Sequence, residues 1–408
     1  MRCKKHIINL RKKRKVKLNM EKPIRVLHVL AAMDRAGTES LIMNLYRNID
    51  REKVQFDFAV SAEKKCAFDD EIEVLGGKIY HYPRYCVYNH ISYIEWWKNF
   101  FGRHQEHSIV HGHIGSTAAI YLSIAKKNNK YTIAHSHNTN SKISMLSILY
   151  KLYSYPTRYI ADFFFGCSKQ ALIDRYGKKI ASSKKKSLVL NNSINVEEFI
   201  FNFEKRKQIR QELHIKENEI LIGTVGRLSP QKNPMMTISI VKTLYNRGEK
   251  FRFLWVGTGE MEYKVKQEIS SIGLDSIFIL TGVRDDIDRI LMGMDVFIFP
   301  SLWEGLGISC IEAQASGLPT LCSESVPQDA NVSDRFLSLP LDNVEKWCDV
   351  IQNKIELIKK GAVDRSNTYQ QVSDAGYDIK QTAKWLEDFY IRSKFFNDDL
   401  LICGAELC

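Results

Sequence analysis

Residues 297–320 read FIFPSLWEGLGISCIEAQASGLPT, and this stretch decides the fold. An apolar run that ends at Pro300 predicts a buried strand. A short polar turn follows, and the residues after it predict a helix that begins near Gly307 and stops at Gly317, with Pro319 just beyond. A strand, a turn and a helix in this order are typical of an α/β fold built on a parallel sheet.

Two carboxylates, Glu304 and Glu312, stand eight residues apart in this stretch, the first in the turn and the second in the helix. Gly305 and Gly307 let the backbone approach a ligand closely, and the free N–H groups at a helix start attract phosphate. A carboxylate repels phosphate and suits hydroxyls instead, such as a ribose diol or a sugar ring. The combination indicates a nucleotide-sugar site, and the alternative is an ordinary capped strand–turn–helix.

The pattern P-S-x-x-E-G-x-G-x-x-x-x-E-A-x-A-x-G-x-P in this stretch resembles the retaining GT-B glycosyltransferases of glycosyltransferase family 4. The resemblance covers about residues 24–390 and is strongest from 223 to 320. It implies two Rossmann-like domains that face each other across a cleft, with Glu304 orienting the sugar and Glu312 holding the ribose. The donor-binding residues that it implies here are Glu304, Gly305, Leu306, Gly307 and Glu312.

The length of 408 residues exceeds one ordinary core and predicts two domains. The net charge of +12 is concentrated at the start, because residues 1–20 hold nine Lys or Arg and no acidic residue, and removing these nine leaves +3. The basic leader, residues 1–22, could contact anionic lipid or nucleic acid. We favour the interpretation that it is upstream sequence and that translation starts at Met20.

The sequence also predicts where the protein works. No apolar stretch reaches the roughly 18–20 residues that span a bilayer, and no signal peptide is visible. The nine cysteines include no C-x-x-C pair and no metal-ligand spacing, which suits reduced thiols. We therefore expect a cytoplasmic protein, either free or peripheral on the cytoplasmic face of the membrane.

Short β-rich runs alternate with helical stretches from residue 23 onward. Seven such runs precede residue 195 and six follow residue 219, and near-continuous apolar strands between helices predict parallel sheets covered on both faces. The predicted segments are a first Rossmann-like domain at 23–195, a linker at 196–218, a second Rossmann-like domain at 219–375, a helix at 376–396 that by the resemblance crosses back to the first domain, and a tail at 397–408.

A dinucleotide-binding enzyme is the obvious rival for two doubly wound domains. Its fingerprint is G-x-G-x-x-G between a strand and a helix. The nearest candidate begins at Gly257-Thr258-Gly259, but Glu262 stands where the third glycine belongs. This mismatch disfavours hydride transfer.

Residues 223–234, GTVGRLSPQKNP, carry two cations five residues apart, Arg227 and Lys232. The segment resembles the G-R-L-x-x-x-K-N motif of the same family. Two fixed cations beside a leaving nucleoside diphosphate would stabilise its growing negative charge. Arginine can bind phosphate bidentately while lysine acts as a point charge. The alternative is a pair of solvated surface cations.

Residues 280–287, LTGVRDDI, follow another predicted strand. The resemblance implies that backbone groups at Val283 and Arg284 hold the edge of the nucleobase. Asp286 and Asp288 form a D-x-D pattern, which could bind a metal and a diphosphate. Because they stand at the start of a predicted helix, we interpret them as a helix cap or dipole partner, and we expect no metal and no cofactor.

Residues 27–45, LHVLAAMDRAGTESLIMNL, resemble the first strand and glycine turn of the family, usually Gly-Gly-x-Glu. Ala36 replaces the first glycine, and Gly37, Thr38 and Glu39 follow. The remaining glycine, Gly37, would let backbone N–H groups reach the donor phosphate or sugar.

Four histidines form two H-x-H pairs, His111 with His113 and His135 with His137, at the ends of predicted strands. Alternation places each pair on one side of its strand, at the sheet edge where doubly wound folds keep their sites. Zinc binding and a satisfied buried core are both open alternatives from the residues alone. The resemblance implies that His135 contacts the sugar as a catalytic residue, and His137 is the weaker candidate.

Two further stretches concern the acceptor. Residues 93–104 and 141–159 mix aromatic, aliphatic and basic side chains at roughly helical spacing. Such a helix could lie on a membrane surface or cover a core with its basic side in water. We expect a core helix for 93–104 and leave both alternatives open for 141–159.

These features together predict a retaining glycosyltransferase that moves a sugar from a nucleoside diphosphate sugar, most simply a UDP-sugar, to a lipid-linked or saccharide hydroxyl. The resemblance implies catalytic roles for His135, Glu304, Arg227 and Lys232, and polysaccharide synthesis at the inner membrane face. A nucleotide-sugar epimerase shares the architecture and is the alternative enzyme. A nucleic-acid-binding protein would depend on the leader alone, and we expect no nucleic-acid partner.

Overall fold

The computed structural model describes residues 22–34, 37–137 and 153–395. The predictions of a basic leader and of a C-terminal tail fall almost entirely outside these residues. Most of the 141–159 stretch also lies outside them. Among the described helices, none is both long enough and apolar enough to cross a bilayer.

The first domain is a seven-stranded parallel sheet between helices, with strand order β3-β2-β1-β4-β5-β6-β7. Its strands are β1 (Ile24–Leu30), β2 (Val54–Val60), β3 (Ile79–His81), β4 (His107–Gly112), β5 (Tyr131–Ser136), β6 (Phe163–Gly166) and β7 (Ser187–Val189). Among the described residues, its helices are α1 (Gly37–Asn48), α2 (Asp69–Val74), α3 (His90–Arg103), α4 (Ala118–Lys127), α5 (Thr157–Ile160), α6 (Lys169–Tyr176) and α7 (Lys178–Ala181).

The second domain is a six-stranded parallel sheet with order β10-β9-β8-β11-β12-β13. Its strands are β8 (Ile220–Val225), β9 (Phe251–Val256), β10 (Phe278–Gly282), β11 (Val296–Phe299), β12 (Thr320–Ser323) and β13 (Phe336–Leu339). The helices from residue 203 onward are α8 (Phe203–Glu212), α9 (Pro234–Asn246), α10 (Glu262–Ser271), α11 (Ile287–Gly293), α12 (Ile308–Ala315), α13 (Val344–Lys359), α14 (Thr368–Val372) and α15 (Ile379–Phe395).

Each of the predicted strands is present, in runs of three to seven residues. Most of them are buried and apolar, as expected where helices cover both faces of a parallel sheet. In both sheets the strand order reverses beside the first strand, between β1 and β4 and between β8 and β11. Doubly wound folds bind ligands at the carboxyl ends of the strands flanking such a reversal. The fold therefore offers one candidate site in each domain.

The segment predicted as a linker packs onto the second domain. It contains a 3₁₀ turn at Val196–Phe199 and helix α8, and Ile209 on that helix is fully buried in the second-domain core. Helix α15 follows the second domain in sequence but packs against α1, β1, β2 and β4 of the first domain. The two crossings of the chain meet where Ile194 pairs with Asp378.

Three arginines hold the carboxyl end of α11. Arg206, Arg210 and Arg365 donate to the backbone carbonyls of Met292, Gly293 and Met294, which a helix end leaves without partners. Asp295, the next residue, pairs with Arg206 and Arg210. This network fixes the start of β11, the strand that leads into the Glu304 turn.

Helix α3 confirms the expected core role of residues 93–104. Tyr93, Trp97 and Phe101 are fully buried on one face of this helix. Lys98 and Arg103 lie on the exposed side. The structure therefore makes this stretch a core helix with its basic side chains facing water.

Candidate active site

The second-domain site is built on the turn between β11 and α12. Gly307 has φ +84° and is the N-cap of α12, so only a residue without a Cβ adopts this conformation at little cost. A Cβ built on Gly305 would meet no atom within 4 Å, so this part of the turn is open to a ligand. Leu306 between them is buried and anchors the turn in the core.

The structure brings Lys232 and Glu304 together. The ammonium of Lys232 donates to Glu304 Oε1 at 2.7 Å, and the two side chains are 16% and 7% exposed. The same ammonium lies 4.2 Å from the centre of the Phe299 ring. A nearly dry pair of opposite charges is held ready for a ligand that offers phosphate oxygens to one group and hydroxyls to the other.

Arg227 lies on the exposed side of the same loop. The backbone around it is fixed by close packing of the β8 and β9 loops. A Cβ on Gly257 would lie 2.3 Å from the carbonyl oxygen of Gly226, and a Cβ on Gly259 would lie 2.3 Å from that of Leu228. These glycines therefore serve loop-to-loop packing, which explains a G-x-G without the rest of a dinucleotide fingerprint.

Glu312 sits just over one turn into α12, and no other described side chain pairs with its carboxyl. Burial raises the pKa of Glu312 to about 7, because a charged carboxylate loses water contacts there. A bound diol would replace those contacts with hydrogen bonds to the ionised form. The environment suits a carboxylate that binds the hydroxyls of a ligand.

Val283 is exposed at the end of β10. The guanidinium of the next residue, Arg284, is held by Asp286 with two 2.8 Å hydrogen bonds and by Glu212 at 2.7 Å, which raises the pKa of Arg284. The Arg284 side chain is thus engaged by protein carboxylates, while the backbone groups of this turn stay a prediction as the nucleobase site.

The side-chain capping role expected of Asp286 is wrong, whereas its position at the start of α11 still suits a partner of the helix dipole. Asp286 occupies the N-cap position of α11, but its carboxylate makes no capping hydrogen bond and is bound instead by Arg284 and Arg289. Its pKa is lowered, chiefly by the hydrogen bond from Arg284. Asp288 pairs with Lys205 at 3.4 Å. Both carboxylates of the D-x-D pattern are thus neutralised by protein cations.

In the first domain five histidines form one group, which we call the histidine cluster: His28, His111, His113, His135 and His137. His28 Nδ1 lies 3.0 Å from His113 Nε2, and His113 Nδ1 lies 2.8 Å from His137 Nε2. His111 Nε2 lies 3.2 Å from His135 Nδ1. The two H-x-H pairs therefore meet, as strand alternation predicted.

Burial keeps the histidine cluster uncharged. It lowers the pKa of His28 and of His137 to about 3 and that of His111, His113 and His135 well below the usual value. His113, His135 and His137 each bring a ring nitrogen within 4.8 Å of the others, and neutral imidazoles at such distances could hold zinc. In the structure His113 already uses both ring nitrogens on other histidines, so metal binding would replace a hydrogen bond.

A cavity of about 130 Å³ opens beside the cluster, and His135, His137, Glu39 and Arg175 are among its lining residues. Gly37 is the first residue of α1, two positions before Glu39, while Ala36 lies outside the described residues. Burial raises the pKa of Glu39. The two elements singled out in the first domain, the glycine turn and His135, thus line one small pocket.

Two members of this site were missed by sequence reasoning. His28 lies in β1 and stacks on His113, and Tyr390 lies in α15 and contacts His111. His28 stands in the quoted stretch 27–45 and could have been found by aligning the strand ends. Tyr390 had no local signal, because its partner is 279 residues away in the chain.

The chain is similar to known glycosyltransferases in sequence and in fold. The family described as glycosyl transferases group 1 matches residues 205–336, which contain every second-domain site residue above. EpsF of Bacillus subtilis (strain 168), which is named as a glycosyltransferase, is 29% identical over 380 residues, covering 90% of this chain and 96% of its own. An Escherichia coli enzyme, UDP-Gal:alpha-D-GlcNAc-diphosphoundecaprenol alpha-1,3-galactosyltransferase, is 27% identical over 52% of this chain and 56% of its own.

Among solved structures, Anabaena Alr3699/HepE in complex with UDP and glucose superposes with a TM-score of 0.71. The two sequences are 16% identical, and the match covers 90% of this chain and 98% of HepE. This likeness concerns the fold.

Proposed function

The chain carries a group 1 glycosyltransferase domain on a GT-B fold, and from this premise we propose that it transfers a sugar from a UDP-sugar to a hydroxyl of a lipid-linked or saccharide acceptor. We further propose that the anomeric configuration is retained and that the product belongs to a polysaccharide. The observation that carries the proposal is the buried Lys232–Glu304 pair, 2.7 Å apart, at the glycine turn before α12.

In the proposed reaction the bond between the sugar C1 and the diphosphate oxygen breaks, and its electrons go to the leaving diphosphate. Lys232 and Arg227 stabilise that growing negative charge. Glu304 then turns from Lys232 toward sugar hydroxyls, while Glu312 holds the ribose diol. Fixed cations that are in place before the reaction cost little reorganisation as the charge appears.

Retention follows in this proposal from attack on the face that the diphosphate leaves. The acceptor oxygen forms the new bond to C1, and its proton passes to an oxygen of the departing diphosphate. No protein nucleophile takes part, and His135 contributes a contact to the sugar from the first-domain pocket.

Exposed apolar side chains on the first domain support a lipid-linked acceptor. Val87 and Tyr88, in the 3₁₀ turn before α3, and Ile91, at its start, are exposed. Tyr159 is exposed on α5 beside Arg158, whose guanidinium covers Tyr155. Aromatic rings and cations of this kind favour the surface of an anionic membrane. We propose peripheral contact with the cytoplasmic face, which would bring the pocket close to a lipid-borne sugar.

The HepE complex with UDP supports a UDP-sugar donor, and the lipid diphosphate acceptor of the E. coli relative supports a lipid-linked acceptor.

The test begins with a screen of UDP-sugars and other nucleotide sugars for a rise in melting temperature, because a ligand of the folded state stabilises it. The best donor is then incubated with a polyprenyl-diphosphate-linked sugar. We expect UDP release that requires the acceptor and a product whose anomeric proton shows the donor configuration. An inverted product would contradict retention. Conversion of the donor into an epimeric nucleotide sugar, without transfer, would identify an epimerase instead.

A further inference from the structure

Helix α15 sends one side chain into the histidine cluster. Tyr390 is fully buried, and its hydroxyl lies 2.7 Å from His111 Nδ1. His111 Nε2 in turn lies 3.2 Å from His135 Nδ1. The chain of contacts ends at His135 Nε2, which has no hydrogen-bond partner among the described residues although its side chain is buried and lines the first-domain pocket.

The direction of the hydrogen bonds follows from counting protons. Burial raises the pKa of Tyr390 well above its usual value and lowers those of His111 and His135, so the phenol keeps its proton and each ring carries one. Within the described part of the chain, the hydroxyl has no acceptor other than His111. A buried donor without an acceptor is strongly disfavoured, so Tyr390 donates to His111 Nδ1. His111 then donates from Nε2, and His135 accepts at Nδ1.

We propose that Tyr390 is a positioning residue that acts through His111 to hold His135 in the tautomer with its proton on Nε2. In this tautomer the Nε2–H has no acceptor among the described residues, and an oxygen of a sugar bound in the adjoining pocket would supply one. That the ligand is a sugar rests on the proposed function. The tautomer of His135 follows from the hydrogen bonds alone. Tyr390 of α15 thus fixes which nitrogen of His111 and of His135 carries the proton.

The other three histidines of the cluster form a similar series of contacts that does not end at a tyrosine. His28, His113 and His137 are joined in the same way, but the outer nitrogens at both ends, His28 Nε2 and His137 Nδ1, lack partners among the described residues. Neither end dictates where the protons sit. Only the row that ends at the tyrosine has a defined direction.

The first experiment reads the tautomers directly. The full chain is labelled with ¹⁵N-histidine, and long-range ¹H–¹⁵N spectra are recorded near pH 7.5 for the wild type, Tyr390→Phe and the control Tyr93→Phe. Tyr93 is equally buried in the first domain, and its hydroxyl donates to Thr117, away from the histidine cluster. We expect protonated Nε2 at His111 and His135 in the wild type and in Tyr93→Phe, and a second population with protonated Nδ1 in Tyr390→Phe. Protonated Nδ1 at His135 in the wild type, or no change in Tyr390→Phe, would overturn the proposal.

The second experiment asks whether Tyr390 acts through His135 in catalysis. We expect Tyr390→Phe to lower kcat about 10-fold, the size of one buried hydrogen bond, with the donor KM nearly unchanged and with Tyr93→Phe like the wild type. In a His135→Asn background the same change should have little further effect. An equal loss in both backgrounds would mean a merely structural role and overturn the proposal. If no nucleotide sugar is turned over at all, the proposed function fails. The spectra still test whether Tyr390 sets the tautomer of His135.

Discussion

Lys232 and Glu304 neutralise each other in a site that is nearly closed to water, while Arg227 on the same loop is exposed. Because of this difference, substitutions of the two cations can distinguish a loss of catalysis from a loss of stability. Replacing Lys232 with Ala leaves the Glu304 carboxylate buried without its partner and so lowers stability as well as activity. Replacing Arg227 with Ala removes only an exposed cation.

We therefore predict that Arg227→Ala and Lys232→Ala both lower turnover on the order of 10²-fold, as expected for the loss of a fixed charge that stabilises the leaving group. Only Lys232→Ala should also lower the melting temperature. Lys242→Ala, which removes an exposed cation from α9, is the matched control and should behave like the wild type. Steady-state rates with the best donor and thermal unfolding measure both effects, and near-normal turnover in both site variants would refute the donor-site assignment.

The raised pKa of Glu312, about 7, makes a prediction about pH. The ribose diol needs the ionised carboxylate, so the affinity for a UDP-sugar should rise about 10-fold between pH 6 and pH 8. Glu312→Gln should bind more weakly, by about 1.5–3 kcal/mol at pH 8, and show no such rise. Calorimetric titration at three pH values tests this. A wild-type affinity that is flat across this range would contradict the ribose role.

Stability should change in the opposite sense. A carboxyl whose folded pKa lies above its usual value stabilises the folded state below about pH 4.5, and this stabilisation is lost as the pH rises through 7. Glu312→Gln avoids the loss, so at pH 8 the variant should be more stable than the wild type, on the order of 2 kcal/mol. Denaturant unfolding at pH 5 and pH 8 measures the difference. A variant less stable than the wild type at pH 8 would show that the carboxylate is already well solvated or paired.

At the scale of single elements, sequence reasoning succeeded where a strand, its turn and the next helix lie within about 25 residues. The turn before α12 is such a unit, and Glu304, Gly307 and Glu312 stand where the motif placed them. The argument failed at the start of α11. Sequence shows that Asp286 precedes a helix, but it does not show that Arg284, Arg289 and Glu212 form an ion-pair network there. Competition among charged partners is decided by geometry.

The start of α11 also carries the prediction on metals. Because both carboxylates of the D-x-D pattern are paired with protein cations, and Lys232 with Arg227 supplies the charge that a metal would bring, EDTA should leave transfer unchanged. Activity assays with and without EDTA, after dialysis, measure this. Loss of activity that Mg²⁺ or Mn²⁺ restores would reopen the D-x-D site, and loss that only Zn²⁺ restores would point to the histidine cluster.

At the scale of the whole molecule, the two doubly wound sheets were predictable because buried parallel strands leave a strong apolar pattern. Two features were not. The segment 196–218 looked like a polar linker, since α8 shows only a narrow apolar face, and its packing on α11 depends on contacts far away in the sequence. Tyr390 joined the site only because α15 returns to the first domain. Contacts across long loops have no local signature.

The leader is tested on the same scale. The first strand begins at Ile24, so a protein that starts at Met20 loses no residue of the described core. We predict that it binds donor and transfers sugar to a soluble acceptor like the full chain. Co-sedimentation with anionic vesicles should also persist, because exposed Tyr88 and Ile91 remain. If vesicle binding disappears with the leader, its nine basic residues are the anchor, at about 1 kcal/mol each near an anionic surface.

Helix α15 has a consequence for how the protein is made. The first-domain sheet is complete once β7 has left the ribosome, but Leu386, Phe389 and Tyr390, which cover Phe56 and Phe165 in its core, belong to the end of the chain. At roughly 5–20 residues per second, about 10–40 s pass between these events. During that interval an apolar face of the finished sheet stays open in the cell. A first domain that is cut short before α15 therefore exposes Phe56 and Phe165 of its core and is expected to aggregate.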